Sequence, residues 1–151
     1  MKVSTKGRYA LRIMIDLAQH NDGEAISLKD IARRQEVSAK YLELIIAILN
    51  KAGFVHSTRG KAGGYRLARP ASSYTVGAIL KLTEGSLAPV ACLGTGESTC
   101  ARACRCEALP MWENLDRIID DYLESVTLQD LVDQTVARAP AAEHEKDVSG
   151  C

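Results

Sequence analysis

The apolar positions of the chain fall into a succession of helical stripes, interrupted once by a short alternating stretch. From about Ser4 to His20, Ala10, Leu11, Met14, Ile15, Leu17 and Ala18 recur at helical spacing and predict one broad buried face, ended by Asn21-Asp22-Gly23. Ser27 stands at a cap position with Asp30 three residues on, a shortened capping box, and Leu28, Ile31 and Ala32 face inward until about Gln35. Ser38 caps a third helix running to about Ala52, where Gly53 supplies the stop. Its buried stripe is Leu42, Ile45, Ile46 and Leu49, while Lys40, Glu43, Ala47 and Asn50 point elsewhere. Two helices joined by a tight polar turn make a helix-turn-helix arrangement, with an ordinary helical hairpin as the plain alternative. Glu36 occupies the turn, a place where glycine is often preferred.

The pattern then changes period. Phe54 to Ser57 and Tyr65 to Leu67 read as antiparallel strands around the glycine-rich basic turn Thr58-Arg59-Gly60-Lys61-Ala62-Gly63-Gly64, a β-wing. A nucleotide-binding loop is the rival, but the residues fit neither a Walker A loop nor a dinucleotide fingerprint. A fourth helix begins at Ser72 or Thr75 and closes at Glu84-Gly85. Residues 85–108 have little regular pattern. Pro110 suits the first turn of a long helix with Met111, Leu115, Ile118, Tyr122 and Val126 as its apolar stripe and Glu113, Asp116, Asp120, Asp121 and Glu124 on the other side. After a complete winged helix, that stripe is expected to pair with a second subunit. A short helix from about Leu128 to Val136 follows. The fold class is therefore mainly α with a small β-wing: a winged helix-turn-helix domain over 1–84, a cysteine-rich loop over 85–108, dimerisation helices over 109–136 and a disordered tail over 137–151.

Composition sharpens this reading. The 151 residues are 46% hydrophobic and 25% charged, as in a folded protein, and the longest apolar run, Leu44 to Leu49, is far short of the roughly 20 residues that span a bilayer. No apolar segment of signal-peptide length follows Lys2, Lys6, Arg8 and Arg12, so a cytoplasmic location is expected, without membrane contact. A net charge of zero hides a partition. Residues 1–69 carry 13 Lys and Arg against 6 Asp and Glu, whereas residues 70–151 carry 6 against 13. The first half is suited to a polyanion. No cysteine precedes Cys92; then Cys92, Cys100, Cys104 and Cys106 fall within 15 residues, with Cys151 at the end. In a reducing compartment such a cluster points to metal or redox chemistry before structural disulfides. No nucleophile–base pair or substrate motif is visible, which argues against an enzyme.

In this order, several motifs resemble one bacterial family, the Rrf-two (BadM/IscR-type) winged-helix transcriptional regulators. They are Lys6-Gly7-Arg8-Tyr9-Ala10, Ser38-x-x-Tyr41-Leu42-Glu43, the wing's Arg59-Gly60-x-x-Gly63-Gly64-Tyr65, and Cys106 followed by Trp112. The likeness covers about residues 1–135. It implies a homodimer on palindromic double-stranded operator DNA, acting as a repressor or redox sensor, and in many members an iron–sulfur cluster; others respond through thiols or a protein partner.

The expected DNA contacts are Lys40 and Glu43 at base edges, Glu43 accepting from a cytosine amine, with Ser38 touching phosphate as well as capping. Arg59 suits the minor groove and Lys61 the phosphates. Tyr41 is either a phosphate contact or a core aromatic with a polar tip. Leu44 departs from the polar residue often found there in the cluster-regulating branch. The resemblance aligns Cys92, Cys100 and Cys106 with the three cluster cysteines and leaves Cys104 as a further candidate. A 2Fe–2S cluster is expected over a 4Fe–4S one. Zinc is a rival, although no C-x2-C knuckle is present; metal-free thiols and, in a different class, an electron-transfer protein remain open. The fourth-ligand position that is His in some relatives is Leu109, so Cys104, Glu107, Glu97 or a partner-subunit side chain would replace it. His20, His56 and His144 are expected at the surface.

Overall fold

Five helices open on a side-chain hydroxyl, which fixes where each begins. Ser4, Ser27, Ser38, Thr75 and Thr127 accept from the backbone N–H three residues on, Gly7, Asp30, Tyr41, Ala78 and Asp130, at 3.2, 3.2, 3.3, 3.0 and 3.1 Å. Each such cap contributes about 1 kcal/mol. The computed structural model describes residues 2–94 and 100–138. In chain order these form α1 (Thr5–Gln19), α2 (Leu28–Gln35), α3 (Ala39–Lys51), β1 (Val55–Thr58), β2 (Gly64–Leu67), α4 (Val76–Glu84), α5 (Leu109–Ser125) and α6 (Leu128–Arg138). The fourth helix thus starts at Thr75; the segment before it, Ala71–Ser73, is a single 3-10 turn. The predicted tail from 137 begins inside α6, and the rest of it, with His144 and Cys151, lies outside the described residues, as does Glu97.

The main core joins Ala10, Ile13, Met14 and Leu17 of α1 to Ile31 of α2, Leu42, Ile45, Ile46 and Leu49 of α3, and Val55, Leu67, Ile79 and Leu128. Each fully buried aliphatic side chain contributes roughly 1.5–3 kcal/mol. Two polar groups are built into this core. Asp16, 1% exposed on the inward face of α1, accepts from Arg34 Nε at 2.9 Å and Nη2 at 2.6 Å and from Gln35 Nε2 at 2.8 Å. The same carboxylate holds the Arg34 guanidinium above its ordinary pKa, chiefly by hydrogen bonding. Arg12 donates to the Gln35 carbonyl at 2.8 Å, so α1 grips the end of α2. Tyr74, also buried, donates its hydroxyl to the Phe54 carbonyl at 2.8 Å and accepts from the Arg69 N–H at 2.9 Å, tying the exit of β2 to the entry of β1.

A smaller cluster, Val76, Leu80 and Leu87 with Leu123 and Val126, joins α4 to α5. Here the polar side of α5 behaves unlike a solvated face. Lys81 of α4 pairs with Asp120 and, at 2.8 Å, with Glu124, and Thr75 donates to Glu124 at 2.6 Å. Lys81 is raised above its ordinary pKa by hydrogen bonds to Asp120 and Glu124; Glu124 is lowered, by Lys81 first and Thr75 second. Gly77 admits that carboxylate, since a Cβ there would lie 2.6 Å from Glu124 Oε1. Val126 leaves the helix and turns inward, its carbonyl accepting from the Val76 N–H at 2.9 Å. Of the rest of the predicted stripe, Leu115 is half-buried and Met111, Ile118 and Tyr122 are left outside, 51%, 55% and 66% exposed.

Candidate nucleic-acid interface

The α2–α3 turn is made by backbone geometry rather than by glycine. Glu36 adopts the left-handed conformation (φ 55°, ψ 43°) and its N–H closes on α2. From there Ser38 caps α3 and divides its faces. Leu42, Ile45, Ile46 and Leu49 close the core, whereas Ser38, Lys40, Glu43, Leu44 and Ala47 are exposed. The outer face of α3 is thus free for a groove partner. Tyr41 lies between the two faces. Half-buried, it meets the Tyr9 ring edge-on, with centroids 6.0 Å apart, and Arg12 covers the other aromatic at 4.9 Å. Packing accounts for Tyr41 and leaves its rim available.

The wing is fastened to the same unit. Strand β1 pairs antiparallel with β2 in the register Val55–Leu67, His56–Arg66, Ser57–Tyr65 and Thr58–Gly64. Ile26, just before the Ser27 cap, exchanges both backbone hydrogen bonds with Tyr65, at 2.9 and 2.8 Å. These contacts explain the glycines. A Cβ on Gly64 would overlap the Ile26 carbonyl, and one on Gly63 would lie 2.5 Å from the Thr58 carbonyl. Gly60 adopts φ 106°, a region open to glycine. Two of the three wing glycines in the motif therefore serve close backbone approach within the protein. Arg59 and Lys61 stand exposed at the tip.

Arg8 and Arg12, which carried no assigned role in the sequence, line a concavity with Thr5 and Tyr9 beside the start of α3. Their signal was present as an i, i+4 pair of guanidiniums on the polar side of α1. Gly7, in the first motif, lies where a Cβ would overlap the Glu84 carboxylate, so it serves the α1–α4 approach. Both His20 and His56 are exposed.

The cysteines sit on irregular backbone between α4 and α5. Cys92 is half-buried in the turn Ala91–Leu93; Cys104 is exposed in the turn Ala103–Arg105; Cys100 is exposed and Cys106 half-buried. All four thiols are free, and the Cys106 carbonyl accepts from the Leu109 N–H at 3.1 Å where α5 starts. Leu93 and Gly94 share a hollow with Lys81, Asp116 and Asp120, so this segment touches both α4 and α5. The donor set suits a thiolate-bound cluster in kind. Among the described residues, however, no three His, Cys, Asp or Glu side chains converge as metal ligands.

A helix-turn-helix with an exposed outer face on α3, backed by a glycine-built wing carrying Arg59 and Lys61, defines a winged-helix DNA-binding regulator. The Rrf2 family, described as "Iron-dependent Transcriptional regulator", matches residues 3–134. The chain belongs to that family of transcriptional regulators, which are not enzymes. Among solved structures it is similar to T. potens IscR (39% identity, TM-score 0.76, 95% of this chain and 94% of that one). It is also similar to CymR, the global cysteine regulator of B. subtilis (37% identity, TM-score 0.74, 89% and 98%). The HTH-type transcriptional regulator IscR of Vibrio campbellii is 39% identical over 132 residues, 87% of this chain and 77% of the relative. No helix of the described residues is long and apolar enough to cross a membrane.

Proposed function

We propose that this protein is a cytoplasmic homodimer that binds palindromic double-stranded operator DNA as a repressor, with affinity set at its cysteine segment. The observation that carries the reading is the outer face of α3: every residue of the Ser38, Lys40, Glu43, Leu44, Ala47 series is exposed, while the opposite face closes the core. Lys40 and Glu43 serve as base-edge contacts, Ser38 and the rim of Tyr41 as phosphate contacts, Arg59 as the minor-groove residue and Lys61 as a phosphate contact. The dimer reading rests on Met111, Ile118 and Tyr122, three large apolar side chains left in water on one side of α5. The division proposed with it is 1–84 for DNA, 85–108 for sensing and 109–136 for pairing, with Leu128 of α6 also closing the core of the DNA-reading part.

Cys92, Cys100 and Cys106, with Cys104 as a further donor, would hold an iron–sulfur cluster, 2Fe–2S in preference to 4Fe–4S. Such a group would supply a redox-active iron centre held by those thiolates. The chain's own part is mechanical. Leu87 packs in the cluster between α4 and α5, and Leu93 and Gly94, next to Cys92, share a hollow with Lys81, Asp116 and Asp120, so a change in how the cysteines are held would act on the contact between reading domain and pairing helix. The likeness to CymR favours a second reading, in which the four free thiols answer to cysteine status without metal.

Gel retardation of promoter DNA across a salt series tests the first part. Binding should weaken steeply with salt, and the Lys40→Ala, Glu43→Ala pair should lose operator preference by on the order of 1–3 kcal/mol per contact. Unchanged operator affinity in that double variant refutes the α3 assignment. Ile118→Glu should yield monomers and weak operator binding; a wild type that sediments as a monomer at micromolar concentration ends the dimer reading. Anaerobic purification with iron and sulfide assays separates cluster from thiol. Cys92→Ala, Cys100→Ala and Cys106→Ala should each lose visible absorption, whereas Cys104→Ala keeps part of it.

A further inference from the structure

Leu44 is 63% exposed, and among the described residues the other exposed large hydrophobics, Met111, Ile118 and Tyr122, all lie on α5. A single exposed leucine is ordinary on a protein surface. This one is not placed at random: it follows Glu43 directly and lies one helical turn after Lys40 and nearly one before Ala47, in the middle of the only α3 face that is free. Leucine offers no hydrogen-bond donor or acceptor. Of the four bases, only thymine presents an apolar group, its C5-methyl, in the major groove. Lys40 beside it and the basic half around it favour a polyanionic partner over an apolar protein surface.

We propose that Leu44 is a specificity-determining residue that selects thymine by burying its methyl group. This rests on the operator-binding reading above. Four residues of α-helix advance about 6 Å, and base pairs are stacked roughly 3.4 Å apart, so the selected thymine lies within about two base pairs of the base read by Lys40. One methyl group removed from water is equivalent to about a fourfold change in affinity.

The test begins by selecting preferred sites from a random double-stranded DNA library with the full-length protein. Each thymine of the selected site is then replaced singly by deoxyuridine, which deletes only the methyl, and affinity is measured by fluorescence anisotropy at fixed salt. One thymine per half-site should show a loss of about threefold to fivefold. Leu44→Ser should lose that sensitivity while keeping wild-type helicity, and Leu44→Met should retain it. Indifference of the wild type to every deoxyuridine, or sensitivity that persists in Leu44→Ser, overturns the assignment of Leu44 and leaves operator binding standing. A wild type that enriches no sequence overturns both.

Discussion

Asp16→Ala probes the joint on which the reading head depends. The carboxylate is 1% exposed and accepts hydrogen bonds from Arg34 Nε and Nη2 and from Gln35 Nε2, the last residues of α2 before the turn into α3. Removing one partner of a buried ion pair costs about 3–5 kcal/mol, because the other charge is left without compensation. Arg34 keeps some contact with water, its side chain being 29% exposed, so the low end applies, about 3 kcal/mol. With urea m-values of roughly 1–3 kcal/mol/M, the unfolding midpoint should fall by about 1–3 M. Circular dichroism at 222 nm reads this, at one fixed protomer concentration because association contributes to apparent stability. A double-mutant cycle with Arg34→Met isolates the pair and should return a coupling of about 2 kcal/mol or more. Where both proteins are folded, operator affinity should also drop, since Arg34 and Gln35 fix the angle at which α3 leaves the turn. A loss below about 1 kcal/mol in Asp16→Ala, or additivity with Arg34→Met, would refute the reasoning.

Three further outcomes are expected. Glu36→Gly should stabilise the fold by roughly 1 kcal/mol in thermal unfolding, because the left-handed backbone at φ 55° costs a residue with a Cβ about that much. Gly64→Ala should act oppositely: its methyl collides with the Ile26 carbonyl, so amide exchange of Tyr65 should accelerate and DNA affinity fall even with Arg59 and Lys61 intact. The α4–α5 strap should be acid-sensitive. Glu124 is held below its ordinary value of 4.5, so its contribution is complete above that pH and is lost as the pH falls through the lower folded value. After solvent screening this is on the order of 0.5–1 kcal/mol. Glu124→Gln should flatten that part of the stability–pH curve, and an unaltered acid limb would count against the strap.

Much of the architecture was legible in the chain because the informative signals are local. Serine at positions 4, 27 and 38 needs only its own next three residues to cap a helix, and the wing follows from turn chemistry between two short apolar runs. The family motifs added the order of these parts. Residue type and helical period likewise placed Lys40 and Glu43 on the free side of α3. What the sequence could not settle depends on partners far away in the chain. An acidic residue on the inward face of α1 is ambiguous until Arg34 and Gln35 are brought to it across 18 and 19 positions. Glycine lets the wing's backbone bend sharply, but the chain alone does not say what that backbone passes closely. Tertiary structure gives Gly64 to the Ile26 carbonyl and Gly63 to that of Thr58. Periodicity divided α5 into an apolar and an acidic side, but not into inner and outer. That was decided by Lys81 and Thr75, which neutralise and hydrogen-bond Glu124 so that Asp120 and Glu124 face α4 beside Leu123, while Met111, Ile118 and Tyr122 are turned to solvent.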